Sequence, residues 1–383
     1  MIKLQYFKDR DWIKNRIMKH QNNKIKFPYL WSAVYGILLA GYVTFTLLDT
    51  FVLPKDLVYI GDITEQNNIT TDATAATVTT AITVTTAAAT ADLYVITPKE
   101  TSNTQDIFVS ESQSSKAQTF DVTASAVTEE PIITESEEAV ITETGYQSSS
   151  ILISITHERV NDTEVYIGEV IIKDPSLLKA GLANDSFGRN LKQYTSTIAA
   201  NNNAIFAING DYYGFRESGY VMRNGYMYRT NGRSGEQCDG MAIFDDGHME
   251  VYKEPEIDAQ ALADRGAVQI FCFGPALIKD SEILVNEDSE VEMSWNDNPR
   301  TAIGQISPLH YLFVVSDGRT DESRGLSLNS LALFMKSKGC NTAYNLDGGG
   351  SSTMWFMGKV VNVPTDGRRF GERGISDIVY IGE

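Results

Sequence analysis

The sequence predicts an α+β fold: one β-sheet-rich domain with a few helices, preceded by a membrane-spanning helix and a disordered stalk. Three observations carry that prediction. From about residue 149 onward, short runs rich in β-branched and aromatic residues recur between Gly, Asn and Asp. One strongly patterned helix interrupts them, opening at Ser327 and ending at Gly339. Near the other end, Phe27 to Leu48 contains no charged residue.

Residues 1–28 are basic, with eight Lys and Arg against Asp9 and Asp11, a net charge of about +6. The apolar segment then runs past Asp49 to stop at Pro54, which defines residues 29–53 as the span. About 20 apolar residues cross a bilayer as a helix. Tyr29 and Trp31 stand where an aromatic belt belongs, and the basic flank should stay cytoplasmic. The apolar region is longer than that of a cleaved signal peptide, so anchoring is expected. The remainder of the chain is then extracellular or in an equivalent lumen.

Residues 54–148 change character. TTDATAATVTTAITVTTAAATAD is nearly all Thr, Ala and Val, and acidic Ser/Thr-rich sequence follows. Three lysines face fifteen acids there, about −12. Such a composition buries too little apolar surface to offset chain entropy, which predicts a stalk. The remaining residues, 149–383, suffice for one sizeable core.

Within that domain the expected strands are ILISIT (151–156), EVYIGEVII (164–172), AIFAIN (204–209), MAIFDD (241–246), VQIFCFG (268–274), LHYLFVVSD (309–317), TAYNLD (342–347) and SDIVYIG (376–382). The helix is capped by Ser327 and buries Leu328, Leu331, Ala332 and Met335 on one face, with Lys336 and Lys338 in its last turn. PSLLKAGLAN (175–184) is a second, weaker helix candidate.

Composition excludes several chemistries. The formal charge of −18 argues against nucleic acid, whose phosphates need clustered Lys and Arg. Three cysteines are too few for a disulfide scaffold, and CxxC and HExxH zinc motifs are absent. His248 reads as a loop residue and His310 as part of a strand, so a Ser-His-Asp triad is unsupported. Cys340 follows a helix C-terminus, where the dipole disfavours a thiolate. No cofactor is required; a Ca²⁺ site from oxygen ligands is unsignalled and left open.

Three strands end alike. AIFAIN leads to Gly210-Asp211, LHYLFVVS to Asp317-Gly318-Arg319, and TAYNL to Asp347-Gly348-Gly349-Gly350-Ser351-Ser352. Each sets an acid beside a glycine at a strand end, where binding and catalytic groups concentrate. The triple glycine adds nothing to a core. It is neither a Walker A loop nor a nucleophile elbow. Its N–H groups, with Ser351 and Ser352, are expected to form an anion nest. Arg300, Arg319 and Arg373, in glycine-adjacent contexts, would complete an anion site, with Arg368 and Arg369 as further options. Acids, arginines and a nest together suggest a substrate bearing both a phosphate and a sugar-like polyol.

NGDYYGF, NPRTAIG, DGRT before GLSLNSLALFMKSKGC, NLDGGGSSTMW and NVPTDGRRFGERGISDIVYIG follow in that order. This set resembles the phosphodiester glycosidase family across residues 149–383, in its cysteine-poor bacterial form. The resemblance implies hydrolysis of a sugar-1-phosphodiester, of the N-acetylglucosamine-1-phosphodiester kind, at its anomeric bond. It implies Asp347 and Asp317 as catalytic carboxylates, with Asp211 or Glu372 third. Arg300, Arg319 and Arg373 would hold phosphate, Asn209 and Asn345 sugar hydroxyls, and Gly348, Gly349, Gly350, Ser351 and Ser352 would cradle either. The expected setting is envelope glycan or exopolysaccharide metabolism; the alternative is a non-catalytic glycan-binding or assembly protein.

Overall fold

The computed structural model describes residues 30–59, 138–235, 238–289 and 297–383. The basic tail (residues 1–28) and most of the expected stalk (residues 60–137) lie outside the described residues. The predicted α+β architecture is what the domain adopts: three antiparallel sheets of five to nine strands, two two-stranded ribbons and a few short helices.

All eight expected strand runs contain strands. The largest sheet has nine, with Thr301–Ser307 near its middle between His310–Ser316 and Thr342–Asn345. Thr163–Ile172 and Ile151–Val160 continue it beyond His310–Ser316. A five-stranded sheet centres on Phe206–Asn209, flanked by Met354–Phe356 and Asp377–Ile381. A second five-stranded sheet contains Asp239–Phe244 between Ala267–Phe271 and Met249–Lys253. The three share one core, in which Ile153, Phe313, Phe206, Val379, Met241 and Phe271 are all buried. Alternation of inward apolar and outward polar residues puts them there. Phe206 meets Phe313 edge-on at 5.2 Å. A Cβ at Gly168 would lie 2.5 Å from the Phe206 ring, so that packing requires glycine at 168.

The helix Leu328–Ser337 begins as expected, with Ser327 Oγ accepting from the Ser330 N–H at 3.1 Å. Its face of Leu328, Leu331, Ala332 and Met335 is fully buried. The second helix candidate is corrected. Residues 175–177 and 183–185 are single 3₁₀ turns, and Leu178–Leu182 between them is a strand. Leu, Lys and Ala favour helix locally, but pairing along the whole of Asp377–Ile381 outweighs that preference.

Ordered structure also reaches into the 54–148 zone. Lys55–Tyr59 pairs with Ser186–Arg189, and Val140–Ile141 and Gly145–Gln147 extend the nine-stranded sheet. Averaged composition hid these short runs; Val58 packs on a cluster that includes Phe187, and Tyr146 is buried.

Leu30–Phe51 is a single helix of 22 residues, about 33 Å long at 1.5 Å per residue. By length and composition it can cross a bilayer, and none of its apolar window is buried against protein. Its last turn is held by the domain. Asn190 Nδ2 donates to the carbonyls of Thr50 (3.1 Å) and Leu53 (2.9 Å), which lack helical partners.

Candidate active site

The strand register explains why the three expected strand ends converge. Thr301 pairs with Val315 on one side, and Ala302 with Asn345 on the other. Both neighbours run antiparallel to Thr301–Ser307, so Asp317 and Asp347 emerge at the same sheet end, around Arg300. Asn209 ties the third strand in. Its Oδ1 accepts from Thr301 Oγ1 at 2.8 Å, and its Nδ2 donates to the Asp347 carbonyl at 2.5 Å.

Beside this junction lies a pocket of about 680 Å³, whose wall includes Asp347, Ser351, Asp366, Glu372, Arg373 and Tyr212. Asp347 is 9% exposed, and Ser351 Oγ donates to its Oδ2 at 2.6 Å. Burial pushes its carboxyl up to about 6, against the pull of the Ser351 hydroxyl and of Arg373. A carboxyl that exchanges its proton near neutrality, on a pocket wall, is suited to acid, base or nucleophilic work.

Part of the expected nest is already committed within the fold. The N–H groups of Gly349, Ser351 and Ser352 donate to the carbonyls of Pro299, Gly348 and Gly349. What the glycines provide is room for guanidinium groups. A Cβ on Gly349, whose φ is +60°, would sit 2.7 Å from Arg319 Nη2, and one on Gly350 2.7 Å from Arg373. Two arginines therefore press onto the loop. Arg373 pairs with Asp366 at 2.6 Å, while Arg319 donates to the neutral Asn298 Oδ1 at 3.1 Å. Burial and the charge of Arg373 lower the Arg319 pKa. Arg319 and Arg373 thus bring two guanidiniums to one loop, beside the acids of the pocket wall, where they can pair with an anionic substrate.

The other expected residues are placed differently. Asp317 is buried beside this region, its Oδ1 accepting from Asn362 Nδ2 (3.0 Å) and the Val363 N–H (2.9 Å). Burial raises its pKa although these donors oppose the rise. Asp211 is enclosed. Its Oδ1 accepts from the Tyr212 N–H, its Oδ2 from the Cys272 N–H, and Arg223 Nη2 is 3.6 Å away. Burial opposes its ionisation, yet Arg223 and these donors hold it below the usual carboxylate range. Glu372 lines the pocket but accepts from the Ser196 N–H (2.9 Å) and hydroxyl (2.5 Å), securing the start of the helix Thr195–Asn201. Arg300 is buried, with Nε donating to the Leu326 carbonyl. Asn209 and Asn345 are buried away from the pocket wall, Asn345 donating to the Gly274 carbonyl. Ser352 Oγ is buried without a hydrogen-bond partner.

Sequence reasoning missed four contributors. Arg223 and Asp377 form a fully buried pair at 2.7 Å, and the Asp377 Oδ1 also receives the Asp211 N–H. Burial pushes Asp377 up to about 6 against the pull of Arg223, and the charge of Asp211 adds to the rise. The signal was an acid opening the last apolar strand. Asp366-Gly367 has the composition of an ordinary turn, which it also forms, with Gly367 at φ +65°. Arg216 acts on Asp347 electrostatically while its guanidinium faces the Tyr212 and Phe273 rings. Among the described residues no cluster of three or more His, Cys, Asp or Glu could hold a metal.

The chain is similar to several known proteins. Over 204 residues the chain is 33% identical to the SPbeta prophage-derived uncharacterized protein YomE of Bacillus subtilis (strain 168), covering 51% of this chain and 30% of that protein. Over 102 residues it is 31% identical to N-acetylglucosamine-1-phosphodiester alpha-N-acetylglucosaminidase of Mus musculus, covering 24% of this chain and 20% of that enzyme. The chain thus spans less than a third of these relatives' own lengths. The solved catalytic domain of the zebrafish enzyme of that name, auto-inhibited by its pro-peptide, superposes with a TM-score of 0.48 at 23% identity, over 61% of this chain and 83% of that one. Residues 202–382, just under half of the chain, match the family model described as phosphodiester glycosidase.

Proposed function

We propose that the domain hydrolyses a sugar-1-phosphodiester, with Asp347 as the central carboxylate. The observation that carries this reading is a buried carboxyl, held near pKa 6, on the wall of a pocket shared with Arg373. A phosphate monoester is a good leaving group, so charge stabilisation matters more than strong general-acid help. Arg373 and Arg319 would bind the diester and stabilise the charge that builds on the departing phosphate. Asp347 in its ionised form supplies an electron pair to the anomeric carbon, directly or through a water, against an oxocarbenium-like transition state. The C1–O bond breaks and its electrons go to the phosphate oxygen. Water's hydroxyl ends on C1, and its proton passes to Asp347 and then to solvent. The anomer first released decides between the direct and the water-mediated route. N-Acetylglucosamine is the sugar that the named relatives suggest.

We read Leu30–Phe51 as a membrane anchor, with the basic residues before it in the cytoplasm and the domain outside, acting on envelope glycan. Protease accessibility of the domain on intact cells, and its protection on inverted vesicles, tests this orientation. The activity is tested by incubating the full chain with UDP-GlcNAc and with methyl-phospho-α-GlcNAc and measuring free GlcNAc. Release that Asp347→Asn abolishes is expected. Silence from about pH 4 to about 9, a range that spans carboxylate and histidine titration, overturns the reading. Binding without turnover would favour a glycan-binding role instead.

A further inference from the structure

The apolar helix and the pocket are joined by a short stretch of chain. Asn190 closes the helix end through Thr50 and Leu53, and Lys55 Nζ adds an ion pair to Asp49 at 2.6 Å in the last turn. Lys55–Tyr59 is already a strand of the domain, paired with Ser186–Arg189. The domain therefore sits directly on the helix end. The expected stalk does not separate them, because residues 60–137 leave from one strand and return ahead of another. From Asn190 the chain runs straight into the pocket wall at Lys192, Gln193 and Tyr194. Two residues of chain reach at most about 7 Å and four at most about 14 Å. On the other flank, the Asn190 N–H donates to the Gly214 carbonyl, between the pocket residues Tyr212 and Phe215. The headgroup layer itself is several ångströms thick on each face of the hydrocarbon core. With the helix spanning a bilayer, pocket residues tied this closely to its end lie within about 14 Å of the membrane boundary. The pocket lining includes the exposed Tyr194 and Tyr212, amphipathic aromatics of the kind that settle at membrane interfaces.

We propose that the substrate is membrane-borne: a sugar-1-phosphodiester whose second ester is to a lipid alcohol embedded in the bilayer. This names the substrate class of the hydrolase reading above and rests on it. Cleavage breaks the C1–O bond, adds water's hydroxyl to the sugar, and leaves the phosphate as a monoester on the lipid. The sugar departs into water while the lipid phosphate stays in the membrane.

The test uses the full chain in phosphatidylcholine vesicles with two probes of identical head, hexadecyl-phospho-α-GlcNAc in the bilayer and methyl-phospho-α-GlcNAc in solution. A 20-residue Gly/Ser insertion between Pro54 and Lys55 lifts the domain off the helix end by roughly 25 Å without touching the pocket. The insertion should slow release from the hexadecyl diester at least about tenfold and leave the methyl diester rate unchanged. An unchanged hexadecyl rate overturns the proposal, as does wild-type hydrolysis of the methyl diester alone. No release from either probe overturns the hydrolase reading and the substrate assignment with it. A separate measurement then still reads the geometry. Cys238, Cys272 and Cys340 are buried, so a fluorophore on Tyr194→Cys labels selectively. Headgroup-nitroxide lipids should quench it several-fold more than a label on Leu333→Cys, which is exposed on a helix of another core cluster. Equal quenching at the two positions removes the pocket from the membrane surface.

Discussion

Two acidic neighbourhoods in this domain share a sequence signature and differ in what their oxygens have left to do. Asp211 and Asp347 each follow an apolar strand and adjoin a glycine. Asp211, with Asp377, encloses the Arg223 guanidinium, and its oxygens are met by backbone N–H groups and that cation. Asp347 stands on the pocket wall with one serine hydroxyl on Oδ2, and burial keeps its proton affinity high. The first neighbourhood holds three segments together; the second is free to exchange a proton. What separates a structural acid from a reactive one here is the supply of donors. Local sequence does not reveal that, because the donors come from distant segments.

The comparison breaks most visibly at Arg223. Arg223→Met leaves Asp211 and Asp377 buried without their cation, and should destabilise the domain by about 3–5 kcal/mol in denaturant unfolding. A loss below 1 kcal/mol would mean the node is not structural.

Asp347→Asn should do the opposite to stability. Between the ordinary carboxylate value and about 6, folded Asp347 keeps a proton that the unfolded chain has lost. The folded state then binds more protons, so stability falls as pH rises through that window. Above it, the accumulated penalty is about 3 kcal/mol. Asn does not titrate. The variant should unfold later than wild type at pH 7, match it near pH 4, and lose about 10²–10⁴ in kcat. A matching loss of stability at pH 7 would sink the assignment. The wild-type rate should climb as pH rises through about 6, since the ionised form acts.

Arg373→Met sharpens the anion half of the site. It removes one of the two guanidiniums pressed on the glycine loop and should lower kcat/KM by about 10²–10³. Stability should move much less, because the Arg373–Asp366 pair is about two-fifths exposed on each side. An unaltered kcat/KM would take phosphate away from this arginine. The smallest effect is expected at the surface pair Arg265–Glu250, where Arg265→Ala should cost about 0–1 kcal/mol. Thermal unfolding measures it, and a larger loss would show that the Arg265 stack on Phe244 carries weight of its own.

Much of the fold was legible because period-two alternation and turn residues are local signals. Ser327 and Gly339 bounded the helix for the same reason. Thr301–Ser307, at the middle of the largest sheet, was not read: TAIGQIS carries glycine and glutamine inside the strand. Gln305 is nonetheless buried, its side chain bonded to the Gly247 carbonyl and the Met249 N–H. The site was legible as a set of strand ends and arginines. Roles were not, and Asn209 shows why: as a residue type it suits a sugar hydroxyl, yet its amide is consumed by Thr301, Thr353 and Asp347. Hydrogen bonds across more than ninety residues of chain leave no mark on spacing.

The strand Asp377–Ile381 has a consequence for biosynthesis. It lies between Leu178–Leu182 and Phe206–Asn209, pairing with both. About 170 residues separate Asn209 from Asp377, roughly ten to thirty seconds of translation at 5–20 residues per second. Throughout that interval the two outer strands have no partner between them, and Arg223 is made without Asp377. The nascent domain carries open strand edges until its final sheet strand is made, the period when a chaperone would matter most to it.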